Sequence, residues 1–181
     1  ACAFVGGDEV AEGVAVEEQS AGGAERCGET GDEDRHTLGT RLFGPIGESI
    51  FDYEVELDLQ LGEVGSADIY AWSVASVLGA TLAEDEWKPR LELMFDYAMG
   101  DDDPDDGDAN TFNQLFPLGH AYLGYIDYVG RQNTIHVQSM AAIKPIAPLT
   151  LRMDLHYFWR ASDEDALYNA SGAVLRAGNL G

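Results

Sequence analysis

Basic residues are scarce in this chain. Lys and Arg number 10 against 33 Asp and Glu, which gives a formal net charge of -23 over 181 residues. Such a surface repels a phosphate backbone, so the composition excludes nucleic acid as a partner. Much of the acid lies in two loop-like stretches, residues 8–34 and 101–108. Solubility or adaptation to a salty habitat explains the excess as readily as a specific function does.

Cysteine is nearly absent, because the chain contains only Cys2 and Cys27. These two thiols can close one disulfide in an oxidising compartment or stay free. They do not make a zinc site, since no further His or Cys lies at metal-ligand spacing. The chain also lacks a Gly-x-Ser-x-Gly nucleophile and a phosphate-binding glycine loop after a strand. We therefore predict no catalytic residues, no enzymatic activity and no organic cofactor.

Long hydrophobic runs are missing too, and no run of about 20 apolar residues predicts a transmembrane helix. What the chain has instead is strict alternation, most clearly in Phe51–Leu61, which reads FDYEVELDLQL. A strand sends successive side chains to opposite faces, so one face here is apolar and the other carries carboxylates. Alternation of this kind, repeated over several strands with aromatic residues near their ends, is typical of a transmembrane β-barrel.

Other segments repeat this alternation. Predicted strands cover residues 36–43, 50–61, 68–82, 90–99, 134–143 and 149–160. The fold class predicted is all-β, an antiparallel up-and-down transmembrane barrel of which about six strands are present. Because six strands cannot close and barrels of this kind have about eight or more, we expect the chain to be a fragment of a larger barrel.

The connections divide the predicted domain, 1–181, into strands and loops. Three short turns, at residues 44–47, 83–87 and 144–147, fall at one end, as periplasmic turns do. The opposite end is predicted to carry the longer loops. We predict loop and a strand end in 1–35, strands within 36–160, a long extracellular loop at 100–133 and a further loop at 161–181.

The polar positions of the strands predict the pore-lining set. Its members are Arg41, Asp52, Glu54, Glu56, Asp58, Arg90, Glu92, Asp96, His136, Gln138, Arg152, Asp154, His156 and Arg160. The carboxylates can select cations or grip sugar hydroxyls, or they can simply pair with neighbouring arginines. The aromatic residues of the apolar positions predict an interfacial girdle, with core packing as the alternative: Tyr70, Trp72, Tyr97, Tyr157 and Trp159.

Three segments carry a more specific signal: WKPRLELMFDYAMGD (Trp87–Asp101), TFNQLFPLGHAYLGYIDYVGR (Thr111–Arg131) and LRMDLHYFWRASDEDALYNASG (Leu151–Gly172). Over roughly residues 36–176 the chain resembles the alginate export family of outer-membrane β-barrels. The resemblance implies a bacterial outer-membrane location, lipid as a partner and a porin-like channel. The member for which the family is named conducts a polyanionic polysaccharide through a lumen rich in basic residues. The carboxylate row of Phe51–Leu61 departs from such a lumen.

The predicted 100–133 loop contains two candidate features. Its aromatic and polar residues predict a constriction that enters the barrel mouth, or a structural plug: Phe112, Asn113, Gln114, Phe116, His120, Tyr122, Tyr125, Asp127 and Arg131. The stretch DDDPDDGD offers hard oxygen ligands at Asp101, Asp103, Asp105 and Asp108, which predict calcium binding or a solvated acidic turn.

Together these patterns predict passive transport or export of a hydrophilic solute, for example a polysaccharide such as alginate. Two alternatives remain at this point: a soluble β-barrel that binds a ligand, and a structural or adhesion outer-membrane barrel with a blocked lumen.

Overall fold

The strands of this chain form one long antiparallel meander. The computed structural model describes the backbone of residues 11–26, 29–83, 87–115 and 122–179, and within these ranges the side chains from residue 31 onward. The strands in this part are β1 (Ala11–Arg26), β2 (Glu29–Pro45), β3 (Phe51–Val64), β4 (Ala67–Thr81), β5 (Arg90–Ala98), β6 (Thr134–Ile146), β7 (Leu149–Trp159), β8 (Leu167–Tyr168) and β9 (Val174–Arg176).

Seven strands pair in sequence order, β1-β2-β3-β4-β5-β6-β7, while β8 and β9 form a separate small hairpin. Every pairing in the large sheet is antiparallel. The sheet is not closed within the described residues, so β1 and β7 are its edges. The predicted all-β, up-and-down barrel wall is confirmed, with one strand more than the sequence indicated.

The additional strand lies where the sequence predicted a loop. Residues 6–34 show no hydrophobic period, yet Ala11–Arg26 pairs with β2, for example Val14 with Thr40 and Val16 with Leu38. The prediction of loop across 1–35 is therefore wrong in its described part. Backbone hydrogen bonds to a neighbouring strand require no apolar side chain, so a strand rich in Gly, Ala and Glu leaves little trace in a hydropathy pattern. Cys2 and Cys27 lie outside the described residues, and the disulfide stays a prediction.

The two ends of the sheet differ in their connections. The end that we call the turn end carries the short links β2–β3, β4–β5 and β6–β7. At the opposite end, the loop end, residues 99–133 join β5 to β6, and residues 160–179 follow β7. The β3–β4 link at this end is only Gly65-Ser66, where Gly65 takes a left-handed φ of 60°. The long loop predicted at 100–133 is confirmed.

The apolar core is small and lies near the loop end. One cluster joins the tip of the β3–β4 hairpin to the long connection through Val64, Ala67, Ile69 and Ala109. A second cluster packs Phe112 against Ala71 of β4 and Ala98 of β5. Both clusters hold the first part of the 99–133 connection, through Ala109 and Phe112, against the sheet. Apolar packing in the described residues therefore fixes a loop and does not form a second layer.

Among the described residues no helix is long and apolar enough to cross a bilayer. The strands themselves have suitable dimensions. At ~3.4 Å per residue and a tilt of roughly 40°, the β3 segment from Phe51 to Leu61 covers about 26 Å along the barrel axis. This length matches the apolar band of about 25 Å that outer-membrane barrels present to lipid.

Candidate functional site on the polar face

Strand register places the predicted pore-lining residues on one face of the sheet. Arg41 pairs with Glu56, Glu56 with Ala75, Ala75 with Asp96, and Asp96 with His136. Paired residues share a face and residues two apart along a strand do as well, so the remaining strand members of the predicted set follow. We call this side the polar face and the opposite side the apolar face.

Burial on the two faces is the reverse of that in a soluble sheet protein. On the polar face Asp96 and His136 expose 2% and 0% of their surface, whereas Leu93 and Trp159 on the apolar face expose 54% and 55%. A soluble protein exposes charge and buries leucine, because transferring apolar surface out of water stabilises the fold. The exposed apolar face therefore indicates a non-aqueous neighbour.

Aromatic side chains stand near the loop end of the apolar face. At the loop end Trp72 stacks on Tyr97 with ring centroids 4.6 Å apart, and Tyr157 lies beside Trp159 at 6.3 Å. Tyr70 is 53% exposed at the same end. The predicted girdle residues thus share one level, as the aromatic belt of a membrane interface requires. Their exposure favours the girdle over core packing.

Near the turn end of the polar face, the arginines Arg41 and Arg90 are paired with carboxylates. Arg90 binds Asp52 through two hydrogen bonds of 2.7 Å and Glu92 through a third of 2.7 Å. Arg41 donates to Glu54 at 2.7 Å and 2.9 Å. A bidentate guanidinium–carboxylate pair fixes both groups and cancels most of their field. Gly79 permits the close approach, since a Cβ there would collide with the Arg90 guanidinium.

β7 carries a further pair. Arg152 donates three hydrogen bonds to Asp154, of 2.7–2.9 Å, and Gln138 donates to the same carboxylate at 2.6 Å. Arg160, predicted to line the pore, instead turns into the segment after β7. Its guanidinium donates to the backbone oxygens of Asp163 and Asp165. Arg160 therefore organises the loop end and does not extend the charged row of β7.

Asp58 differs from the carboxylates near the turn end. It accepts a hydrogen bond from the neutral hydroxyl of Ser73, at 3.0 Å. The carboxylate packs over Gly39, where an added Cβ would lie 2.6 Å from Asp58 Oδ1. Its nearest wall neighbour on β3, Glu56, faces Arg131 at 3.5 Å. The charge of Asp58 is thus the least compensated on this stretch of the wall.

An Asp–His–His chain crosses β5, β6 and β7. The Nδ1–H of His136 donates to Asp96 at 2.7 Å, because a carboxylate can only accept, and His136 Nε2 lies 3.0 Å from His156 Nδ1. Phe158 stacks on His136 with centroids 4.4 Å apart. Sequence alternation placed both histidines on this face. The contact between them depends on register, which the sequence does not display.

The long connection lies on the polar face and brings some of the predicted constriction residues with it. Asn113 pairs with Gln60 through its backbone, and Arg131 reaches Asp96 at 3.3 Å and Glu56 at 3.5 Å. Tyr122 lies 5.9 Å from the Arg131 guanidinium, measured to the ring centroid. Burial and the negative charge of Glu54 raise the pKa of Tyr122, which places this phenol beside the wall.

Other members of the predicted set behave differently. Gln114 ties the connection together by accepting from the Arg131 amide and donating to Ala170 O. Tyr125 is 79% exposed, and Asp127 adopts a left-handed φ of 49° in a turn. Phe116 and His120 lie outside the described residues, so their role stays a prediction.

The acidic stretch after β5 forms successive turns. Asp101 accepts from the amides of Asp103 and Asn110, and Asp103 accepts from the amide of Asp105. Within the part of the chain that the structure describes, no group of three or more acidic, His or Cys side chains converges as metal ligands. The calcium site proposed for Asp101, Asp103, Asp105 and Asp108 stays a prediction; of these four carboxylates, those of Asp101 and Asp103 are engaged with backbone amides.

Sequence reasoning missed the residue that holds the loop end together. Asp165 accepts from Thr111 Oγ1 at 2.6 Å, from the Asp101 amide at 3.1 Å and from Tyr168 Oη at 2.7 Å. It is buried and links two segments far apart in sequence. Asp165 lies in a stretch without periodicity, so no signal in the sequence distinguishes it from neighbouring surface acids.

Comparison with known proteins adds one finding. A family model described as alginate export matches residues 15–180. The match covers β1, which the resemblance read from the sequence did not. Searches of curated proteins and of solved structures found no match.

Proposed function

This chain belongs to the alginate export family, and from that premise we propose that it forms part of the wall of an outer-membrane channel for a hydrophilic solute. The observation that carries the proposal is the reversed burial of the sheet. Its exposed face is leucine-rich and aromatic, while most of its ion pairs, and His136 and His156, occupy the opposite face; the exposed His36–Asp34 pair lies on the apolar side near the loop end. Lipid suits the first face and a water-filled lumen suits the second.

Passage through such a channel requires no chemistry on the solute. The wall offers hydrogen-bonding groups and fixed charges, and the 99–133 connection narrows the lumen where Tyr122 and Arg131 approach β3. Transport is then passive and follows the gradient of the solute. In this proposal the solute is hydrophilic, with a polysaccharide as the candidate that the family suggests.

The charge of the wall bears on the solute class. The described polar face has more carboxylates than guanidiniums: Glu33, Asp52, Glu54, Glu56, Asp58, Glu92, Asp96 and Asp154 against Arg35, Arg41, Arg90, Arg131 and Arg152. Acidic rings favour cations and a basic lumen favours anions. We therefore propose a lumen of mixed charge with a modest preference for cations, which fits neutral or cationic solutes better than alginate.

Conductance of the complete protein in planar lipid bilayers tests the proposal. A channel gives discrete current steps in KCl. An absence of steps from protein that inserts into the bilayer would instead support a barrel with a blocked lumen. Solubility without detergent would favour a soluble ligand-binding barrel.

A further inference from the structure

Gln60 on β3 uses its whole carboxamide to hold the long connection. Its Oε1 accepts from the Asn113 amide at 2.9 Å and from Arg35 Nη1 at 2.8 Å. Its Nε2 donates to Asn113 O at 2.7 Å and to Thr37 Oγ1 at 3.2 Å. A primary amide has two donor hydrogens and two acceptor lone pairs, so every hydrogen-bonding position of Gln60 is occupied.

The pairing with Asn113 resembles a rung of a β-ladder, in which one residue both donates to and accepts from its partner. Here a side chain takes the place of the second backbone. Gln60 is 0% exposed and Asn113 is 8% exposed. Removing the carboxamide therefore leaves a buried N–H and a buried C=O of the connection without that partner, which is costly in a water-poor site.

A second contact holds the connection to β3 at a position closer to the turn end; we call this contact and the Gln60–Asn113 contact the two tethers. Arg131, near the end of the connection, contacts Glu56 of β3 and Asp96 of β5. Glu56 and Gln60 are four positions apart and therefore face the same side, separated by about 13 Å along the strand. Gln114 joins the two tethers, because it follows Asn113 and accepts from the Arg131 amide at 2.8 Å.

We propose that Gln60 is a positioning residue that fixes the 99–133 connection in the lumen, so that the constriction is a permanent part of the pore. Solutes then pass a static aperture, and the connection does not swing away to open the channel. The part of this inference that concerns the aperture rests on the proposed channel function. The part that concerns the anchoring of the connection does not.

Hydrogen exchange in the complete protein in detergent micelles tests the anchoring. Gln60→Ala removes all four hydrogen bonds, and the Asn113 amide should exchange about tenfold faster, corresponding to one net hydrogen bond. Gln60→Glu preserves the volume but replaces the donor with a carboxylate oxygen facing Asn113 O. Exchange of the Asn113 amide should rise by a smaller factor in the Gln60→Glu variant. If Gln60→Ala does not fold, the Gln60→Glu variant alone tests the anchoring.

Gln138→Ala is the matched control for exchange. Gln138 is a buried glutamine of the same face, 3% exposed, and it donates a hydrogen bond to Asp154 on β7. Its removal should leave exchange at Asn113 unchanged. Unchanged exchange in both Gln60 variants, or equal acceleration by Gln138→Ala, would overturn the anchoring.

Single-channel recording tests the aperture. Gln60→Ala and Gln60→Glu should increase open-channel current noise and mean conductance, because the released connection moves within the lumen. Faster exchange at Asn113 with unaltered noise and conductance would refute the static constriction. If the wild-type protein inserts but does not conduct, the proposed function fails, while the exchange experiment still decides whether Gln60 anchors the connection.

Discussion

At the scale of single residues, alternation in the sequence identified which side chains share a face, and register determined what each one contacts. Asp52 and Asp58 look equivalent in Phe51–Leu61, yet Asp52 is held by the guanidinium of Arg90, whereas Asp58 accepts from the neutral hydroxyl of Ser73. Pairing of this kind depends on residues 15 to 38 positions away in the chain. The sequence alone therefore predicted the composition of the wall and offered pairing with Arg41 and Arg90 as an alternative, which the structure shows, but it did not identify which carboxylate each arginine binds.

Asp58 is the residue at which to test ion selectivity. Asp58→Asn removes a charge without releasing an arginine, and the amide can still accept from Ser73. We expect the reversal potential in a KCl gradient to shift toward that of chloride. Asp52→Asn is the comparison, since it also removes one carboxylate but leaves Arg90 paired with Glu92. A reversal potential that is unchanged in the Asp58 variant would remove this carboxylate from the selectivity of the pore.

Substitution of Asp165 tests whether this residue holds the loop end together. Asp165→Ala removes the acceptor of Thr111, Tyr168 and the Asp101 amide, and a hydrogen bond to a charged group makes a net contribution of about 1.5–3 kcal/mol to stability. We expect the free energy of local opening to fall by about 3 kcal/mol, measured by hydrogen exchange at residues 101–113. Glu164→Ala is a suitable control because Glu164 is an exposed acid of the same segment. Equal effects of both substitutions would contradict the role of Asp165.

The pH dependence of the loop end follows from Asp101. Burial is the main cause that raises the pKa of Asp101 above its ordinary value of 3.8. The folded loop thus binds this proton more tightly than the unfolded chain does. Its stabilising contribution is full below pH 3.8 and is lost as pH rises through the raised pKa.

Asp101→Asn should remove that dependence. We expect the opening free energy of the wild-type loop, relative to that of the variant, to decrease as pH rises from 3.8 through the raised pKa of Asp101. Above that pKa the difference should level off. Hydrogen exchange corrected for its intrinsic pH dependence gives the measurement. A constant difference between the two proteins would show that Asp101 does not titrate in this range.

At the scale of secondary-structure elements, the strands with strong alternation were predicted well. β3 and β5 were found within about three residues of their observed bounds because one face of each is continuously apolar. β1 was missed because Gly, Ala and Glu give no period. Likewise, the long connection was identified by its length and aromatic content, while its attachment to Gln60 was not foreseeable, since Gln60 reads only as one more polar position in an alternating strand.

Depth along β3 gives a prediction at this scale. Leu57 lies at the middle of the apolar face and Leu61 near its aromatic border, and both are almost half exposed, at 48% and 47%. In lipid, an arginine costs about 2–4 kcal/mol at the midplane and about 0–1 kcal/mol near the interface. Leu57→Arg should therefore destabilise the folded protein more than Leu61→Arg in reversible urea unfolding from lipid vesicles. Small, equal effects would indicate that water surrounds this face.

At the scale of the whole molecule, the sheet has edges at β1 and β7 within the described residues. Unpaired edges in a bilayer leave backbone N–H and C=O groups without partners, so a membrane-spanning wall must continue to closure. The family match and the reversed burial support the proposal that this sheet forms part of such a wall. Sequence alternation was sufficient to predict this architecture, because a face exposed to lipid has to be apolar along its whole length.

Cysteine scanning of Asp52–Leu59 in the reconstituted complete protein tests the central claim most directly. With Cys2 and Cys27 replaced by serine, a membrane-impermeant, water-soluble thiol reagent should label cysteines at Asp52, Glu54, Glu56 and Asp58. Cysteines at Tyr53, Val55, Leu57 and Leu59 should remain unlabelled in vesicles and react after unfolding. This period of two is the result expected from one strand with a water-filled lumen on one side and lipid on the other. Labelling of both sets at similar rates, or labelling of the apolar set alone, would contradict the account.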